Sequence, residues 1–348
     1  MWRFECDYTE GAHPEIMKRL LETNEEQTPG YGEDFYCGQA RKKIQDLCGR
    51  ADADVHFLVG GTQTNATVIR AALRPHQGVL SAESGHINVH ETGAIEASGH
   101  KVLALPGEYG KLSARQIQEA CQAHYTDSSQ EHIVQPGMVY LSHPTEIGTL
   151  YSLAELQEIR KVCQEWGLWL FLDGARLGYG MAASGSDISF RELAELCDVF
   201  YIGGTKVGAL FGEAVVIMAS ALKKDFRYMI KQQGGMLAKG RLLGIQFDTL
   251  FTDDLYLKIS RHAVQMAEQI RDGFQKLGYS FFCESQTNQQ FLILSPAQIE
   301  ALSEKYSFSI WEEVDQEHIA VRFCTSWATK EEAVEELLAD AAAIKTQA

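Results

Sequence analysis

The chain has 348 residues, 45% hydrophobic and 22% charged, the balance of a globular protein with room for a large domain and a smaller one. Its 31 basic against 47 acidic side chains leave a net charge of −16, which argues against nucleic acid or anionic membrane as a partner. No apolar run approaches the roughly 18 residues of a membrane span. The opening MWRFECDYTE has no signal-peptide pattern, and eight cysteines are scattered without CxxC spacing, so a cytoplasmic setting with reduced thiols is expected.

In chain order, His13-Pro14 opens a helix, PEIMKRLLET, with proline in the first turn, where its missing N–H is harmless. PGYGEDFYCG reads as a glycine-rich loop ahead of a second helix, QARKKIQDLCG. VHFLVGGTQTNATVIRAALRP reads as strand, tight turn and helix. Gly60 and Gly61 let a ligand approach the backbone, and Thr62 begins a helix whose free N–H groups suit a phosphate. G-x-G-x-x-G is absent, so this is no dinucleotide fingerprint. SAESGHINVHETG holds His86, His90 and Glu91; His90, one helical turn on, reads as a plain surface residue. GMVYLSHPTEIGTLY predicts a strand and then an exposed loop with His143 and Glu146, and LAELQEIRKVCQEWG predicts a helix.

Residues 168–217 form the centre of the pattern. LWLFL and DVFYIGG have the length and residue types of buried strands, with the helical spacing of ISFRELAELC between them. A β-α-β unit of this kind lays its strands parallel, so Asp173-Gly174-Ala175-Arg176 and Gly203-Gly204-Thr205-Lys206 emerge together at the carboxyl edge. A glycine-crowded amine at a strand end is a candidate Schiff-base lysine. A carboxylate beside it could hold a pyridine nitrogen protonated, because an opposite charge favours the charged form. Together Lys206 and Asp173 describe a site for pyridoxal phosphate (PLP), whose ring is an electron sink. Either residue alone would read as an ordinary surface charge.

Beyond the centre, FRYMIKQQGGMLAKGRLLG is basic inside an acidic chain and carries Lys231 and Lys239. A long amphipathic helix, RHAVQMAEQIRDGFQKLG, follows, then alternating strands and helices with Arg322 on the strand HIAVRFCTSWAT. The expected division is a large domain over residues 1–240 and a small C-terminal domain over 241–348.

DGAR, GGTK and the GTQ turn resemble the L-threonine aldolase and aromatic amino acid β-eliminating lyase family, PLP enzymes of the aspartate aminotransferase fold. The likeness runs through most of the chain and weakens after about Leu250. It implies an α/β fold with a mostly parallel sheet in the large domain and a smaller α+β domain. It implies that Lys206 carries PLP, that Asp173 contacts the ring nitrogen, and that Gly61 and Thr62 lie in the phosphate cup. His86 matches the histidine that stacks on the ring, in an H-x-x-x-x-E-x-G pattern kept through Glu91 and Gly93. Arg322 matches the clamp on the substrate carboxylate, with Arg176 as a second contact to cofactor and substrate; a planar guanidinium suits a carboxylate bidentately. Cys6-Asp7 stands where Ser-Asp is common, and Tyr31 lies in a loop similar to Y-G-D-D, which makes Cys6 and Tyr31 substrate-side candidates. A homodimer or homotetramer is implied, with Tyr31 and Lys231 placed to reach a neighbour's site.

The expected reaction cleaves an L-β-hydroxy amino acid to glycine and an aldehyde. His86 is the first choice for the base that takes the β-hydroxyl proton, with His143 or Glu146 helping through water. β-Elimination or transamination on the same scaffold is the competing enzyme reading, and a non-catalytic protein of the same fold is a third.

Overall fold

The computed structural model describes residues 1–347. Seven strands form the main sheet: β1 (Asp54–Leu58), β2 (Gln77–Ala82), β3 (Val102–Leu105), β4 (Gln135–Ser142), β5 (Trp169–Asp173), β6 (Val199–Gly203) and β7 (Glu213–Ile217). Their order is β1-β7-β6-β5-β4-β2-β3. Only β7 runs against the others, pairing antiparallel with β1 and β6, while β6, β5, β4, β2 and β3 pair in parallel. Parallel strands joined by helices are covered on both faces, which is why β6 and β7 are buried at every residue.

The period of two divides the faces. Tyr140, Phe171, Val199 and Tyr201 face a layer containing the helix Gly61–Ala72. Leu141, Leu172, Phe200 and Ile202 face the opposite layer, which includes Leu193 and Phe247. The helix Leu153–Trp166 starts in a Ser152–Glu155 capping box and stops at Gly167 in the left-handed region, the residue chemistry its sequence calls for.

A second sheet is antiparallel: β8 (Ser280–Phe281), β9 (Gln289–Leu294), β10 (Ser309–Glu313) and β11 (Ile319–Cys324), ordered β10-β11-β9-β8. The long helix Leu255–Lys276 serves both sheets: Ala263 and Val264 pack in the main core, Met266, Ile270 and Phe274 in the second. The N-terminal strap also joins the second sheet. Trp2–Arg3 pairs with Tyr306–Ser307, Phe4 lies in that core, and the Cys324 N–H donates to the Phe4 carbonyl at 2.8 Å. Asp7, at the end of the strap, is thereby carried to the edge of the main sheet.

Two local readings change. The second helix begins at Phe35 rather than Gln39, because the Asp34 side chain accepts the Cys37 N–H at 2.9 Å and caps it. The loop after β4 is buried rather than exposed: His143 and Thr145 are each 1% accessible. No helix among the described residues is long and apolar enough to cross a membrane.

Candidate active site

The two central turns interlock through their backbones. The Gly203 N–H donates to the Gly174 carbonyl at 2.9 Å. A Cβ on Gly174 would sit 2.0 Å from the Tyr201 carbonyl oxygen, and one on Gly203 2.2 Å from that of Ala175. Both contacts are with backbone, so only glycine allows the approach. This packing sets Asp173 and Lys206 on the walls of one cleft of about 290 Å³. Gly60, Gly61, Thr62, His86, Glu146, Arg176 and Glu213 also line it.

Asp173 is held from four sides. Oδ1 accepts the Tyr201 hydroxyl at 2.5 Å and the Ala175 N–H at 3.0 Å. Oδ2 accepts the Tyr140 hydroxyl at 2.5 Å and Asn65 Nδ2 at 3.1 Å. Burial, and then the Asp173 charge, push both phenols well above the usual tyrosine range, so they remain protonated donors. The sequence reading did not single out Tyr140, Tyr201 or Asn65. Strand register carried the signal for the tyrosines: Ser142 pairs with Asp173 and Phe171 with Val199, which puts Tyr140 and Tyr201 on the Asp173 face.

Lys206 has its pKa lowered, first by burial and then by the Arg176 charge, against the pull of Asp7, Asp173 and Glu213. Glu213, another residue missed in the sequence, lies beside it. It accepts Thr205 Oγ1 at 2.8 Å and the Gly204 N–H at 3.1 Å, and burial pushes its carboxyl up. No side chain caps the helix Gly61–Ala72, whose first residues, Gly61 and Thr62, line the cleft.

His86 is tied through Nδ1 to Glu91 Oε1 at 2.8 Å. A carboxylate only accepts, so Nδ1 carries the proton and Nε2 is left as the acceptor. The His86 backbone N–H donates to Glu146 Oε1 at 2.9 Å, and Ser142 Oγ donates to the same oxygen at 2.6 Å. Burial, reinforced by Asp173, raises the Glu146 pKa against these hydrogen bonds. His143 does not join the cleft. Its Nδ1 accepts the Tyr151 N–H at 3.3 Å, and burial lowers its pKa to about 4, so it stays neutral.

Arg176 lines the cleft but is already engaged. Nε and Nη2 donate to Asp7 Oδ2 and Oδ1 at 2.7 and 3.0 Å, and Asn288 Nδ2 donates to Oδ2 at 2.9 Å. Burial opposes the Asp7 charge; Arg176 and then Lys206 more than offset it, and its pKa is lowered. Arg322 lies outside the cleft lining and donates to Gln289 Oε1, the Glu5 carbonyl and Ser309 Oγ. Cys6 is half-buried on the strap beside Asp7, also outside the lining. Tyr31 sits apart, with the Lys231 ammonium 5.2 Å from its ring centroid. His90 is exposed at the end of the His86 turn, as its spacing indicated.

Known proteins resemble this chain in sequence and in fold. A sequence profile of the family described as Beta-eliminating lyase matches residues 4–297. The Low specificity L-threonine aldolase of Pseudomonas aeruginosa is 31% identical over 345 residues, covering 97% of this chain and 96% of its own. The Saccharomyces cerevisiae protein of that name is 26% identical, over 78% of this chain and 68% of its own. A solved Leishmania major threonine aldolase matches at a TM-score of 0.96 and 41% identity, over 99% of this chain and 100% of that one. Thermus thermophilus aspartate aminotransferase, 13% identical with a TM-score of 0.70 over 98% of this chain and 96% of its own, shares the fold. With most of its length inside the profile and a relative matched almost end to end, the chain belongs to the beta-eliminating lyase family.

Proposed function

We propose that the protein is a PLP-dependent lyase that cleaves L-threonine, L-allo-threonine or a related L-β-hydroxy amino acid to glycine and an aldehyde. The observation that carries the reading is the cleft itself. It joins an amine of lowered pKa, a carboxylate fixed by four donors, and an imidazole locked with its acceptor nitrogen available. The residues fit the cofactor: Lys206 for its carbonyl, Asp173 for its ring nitrogen, and the uncapped helix start at Gly61 and Thr62 for its phosphate. When bound, PLP supplies an electron sink for the pair left as the Cα–Cβ bond breaks.

The chain's own residues divide the remaining work. Arg176 lines the cleft with Nη1 unclaimed by Asp7, which supports a contact to the substrate carboxylate. Arg322, held just outside by Gln289 and Ser309, is the second candidate. Fixing that carboxylate decides which Cα bond is aligned for cleavage. His86 Nε2 accepts the β-hydroxyl proton while Glu91 steadies the resulting imidazolium. The test is product analysis with a panel of L-β-hydroxy amino acids. Aldehyde with stoichiometric glycine is expected; ammonia with a keto acid would move the protein to β-elimination, and neither product with any substrate would remove catalysis.

Residues 1–240 are taken as the cofactor-binding domain and 241–348 as the small domain, with the strap bridging them. The protein is further proposed to be a dimer or dimer-based tetramer, Tyr31 and Lys231 acting at a neighbour's cleft. Both lie outside the lining of their own chain's cleft, which supports that role. A light-scattering mass of one 38.8 kDa chain with full activity would overturn it. The cytoplasm is the proposed location, supported by six buried free cysteines; activity recovered in a secreted or membrane fraction would refute it.

A further inference from the structure

We propose that Asn65 is a positioning residue that ties the two buried carboxylates of the site, Glu91 and Asp173, to one amide and so holds both in place for the cofactor. The proposal rests on the PLP reading above and concerns how this chain prepares its cleft for that cofactor.

Asn65 is wholly buried, on the second turn of the helix Gly61–Ala72. Its Nδ2 donates to Glu91 Oε1 at 2.7 Å and to Asp173 Oδ2 at 3.1 Å. Both partners are acceptors, so the amide orientation is fixed: nitrogen faces the carboxylates and Oδ1 faces away. Oδ1 is left buried without a partner, as is Glu91 Oε2. Asparagine is also a poor helix former. An apolar residue would suit this position in the core better, so stability of the helix does not explain it.

The consequence lies in the geometry. Glu91 has a fully buried side chain and Asp173 is 4% accessible. Their nearer oxygens touch the same nitrogen, so the carboxylates are no further apart than two hydrogen bonds. Each accepts an N–H of the one amide, so neither can turn without breaking a hydrogen bond to a charged group. Glu91 in turn fixes the His86 tautomer at 2.8 Å, and Asp173 is held on the cleft wall, where a pyridine nitrogen would meet it. Asn65 thus links the histidine over the cofactor face to the acid at the ring nitrogen, in the chain His86–Glu91–Asn65–Asp173.

The experiment uses the full chain with PLP as the probe. It measures the equilibrium dissociation constant and the visible spectrum of the bound cofactor. Asn65→Leu is expected to weaken PLP binding by roughly 10- to 100-fold, the loss of a hydrogen bond to charge, and to shift the spectrum of the bound cofactor. In an Asp173→Ala background, where the carboxylate through which Asn65 reaches the cofactor is gone, the same substitution should change affinity by no more than about twofold. An equal loss in both backgrounds, or an unshifted spectrum, would overturn the proposal. Should the leucine variant not fold, Asn65→Ser carries the same comparison, because one hydroxyl can donate to only one of the two carboxylates. Affinity and spectrum do not depend on turnover. Wild-type protein that binds PLP but releases no aldehyde would therefore refute the proposed reaction while leaving the Asn65 result readable.

Discussion

Lys206→Ala is expected to abolish covalent capture of PLP and to lower aldehyde release by roughly 10³-fold or more, the loss typical of removing a covalent catalytic group. The argument starts from the amine. A free lysine, with a pKa of about 10.4, is almost wholly protonated near neutrality and a poor nucleophile. Burial and then Arg176 lower the Lys206 pKa. Capture of PLP by the cofactor-free wild type should therefore rise with pH, and rise at lower pH than for an ordinary lysine. Asp7, Asp173 and Glu213 pull the other way and limit how far that rise moves. Borohydride reduction followed by peptide mass spectrometry is the direct measurement. A reducible adduct on Lys231 or Lys239 in the alanine variant would assign the cofactor to a different lysine.

That Lys206 and Asp173 could be brought to one cleft from the sequence follows from local signals. Two apolar runs with a helical stretch between them fix a parallel pair, and a parallel pair fixes which ends meet. The glycines of DGAR and GGTK are visible as letters, but their reason is not: Gly174 faces the Tyr201 carbonyl and Gly203 the Ala175 backbone across the two strands. The rest of the site depends on contacts that have no local signature. Tyr140 and Tyr201 read as core aromatics until the register put them on the Asp173 carboxylate. Asn65 is one polar letter in a helix. Asp7 meets Arg176 across 169 positions of chain. The loop after β4 shows the same limit from the other side. Its polar, proline-containing sequence suggests exposure, yet Ser285 and Thr287, far along the chain, cover Gly148. His143, on the same loop, is turned to the Tyr151 N–H and stays outside the cleft lining.

The competing bases separate on the same grounds. In the proposed arrangement His86→Phe keeps a flat ring at the cleft wall where the cofactor would lie and removes the nitrogen acceptor. It is expected to bind PLP with near-normal affinity and lose about 10²- to 10⁴-fold in aldol cleavage, the usual contribution of a general base. His143→Ala should act differently. The ring is buried, neutral, and bound to the Tyr151 N–H, so its loss should lower thermal stability by about 1–3 kcal/mol and leave cleavage nearly intact. Glu146 is the serious rival, because it lines the cleft and burial raises its pKa. Its Oε1 is already occupied by the His86 N–H and Ser142 Oγ, and its Oε2 is buried without a partner. Those contacts make it a holder of the His86 turn, so Glu146→Gln, which keeps an oxygen acceptor, should retain most activity. Stopped-flow measurement of aldehyde release on the three variants decides the matter. Near wild-type cleavage by His86→Phe together with a dead Glu146→Gln would move the proton to Glu146 and leave His86 only the stacking role.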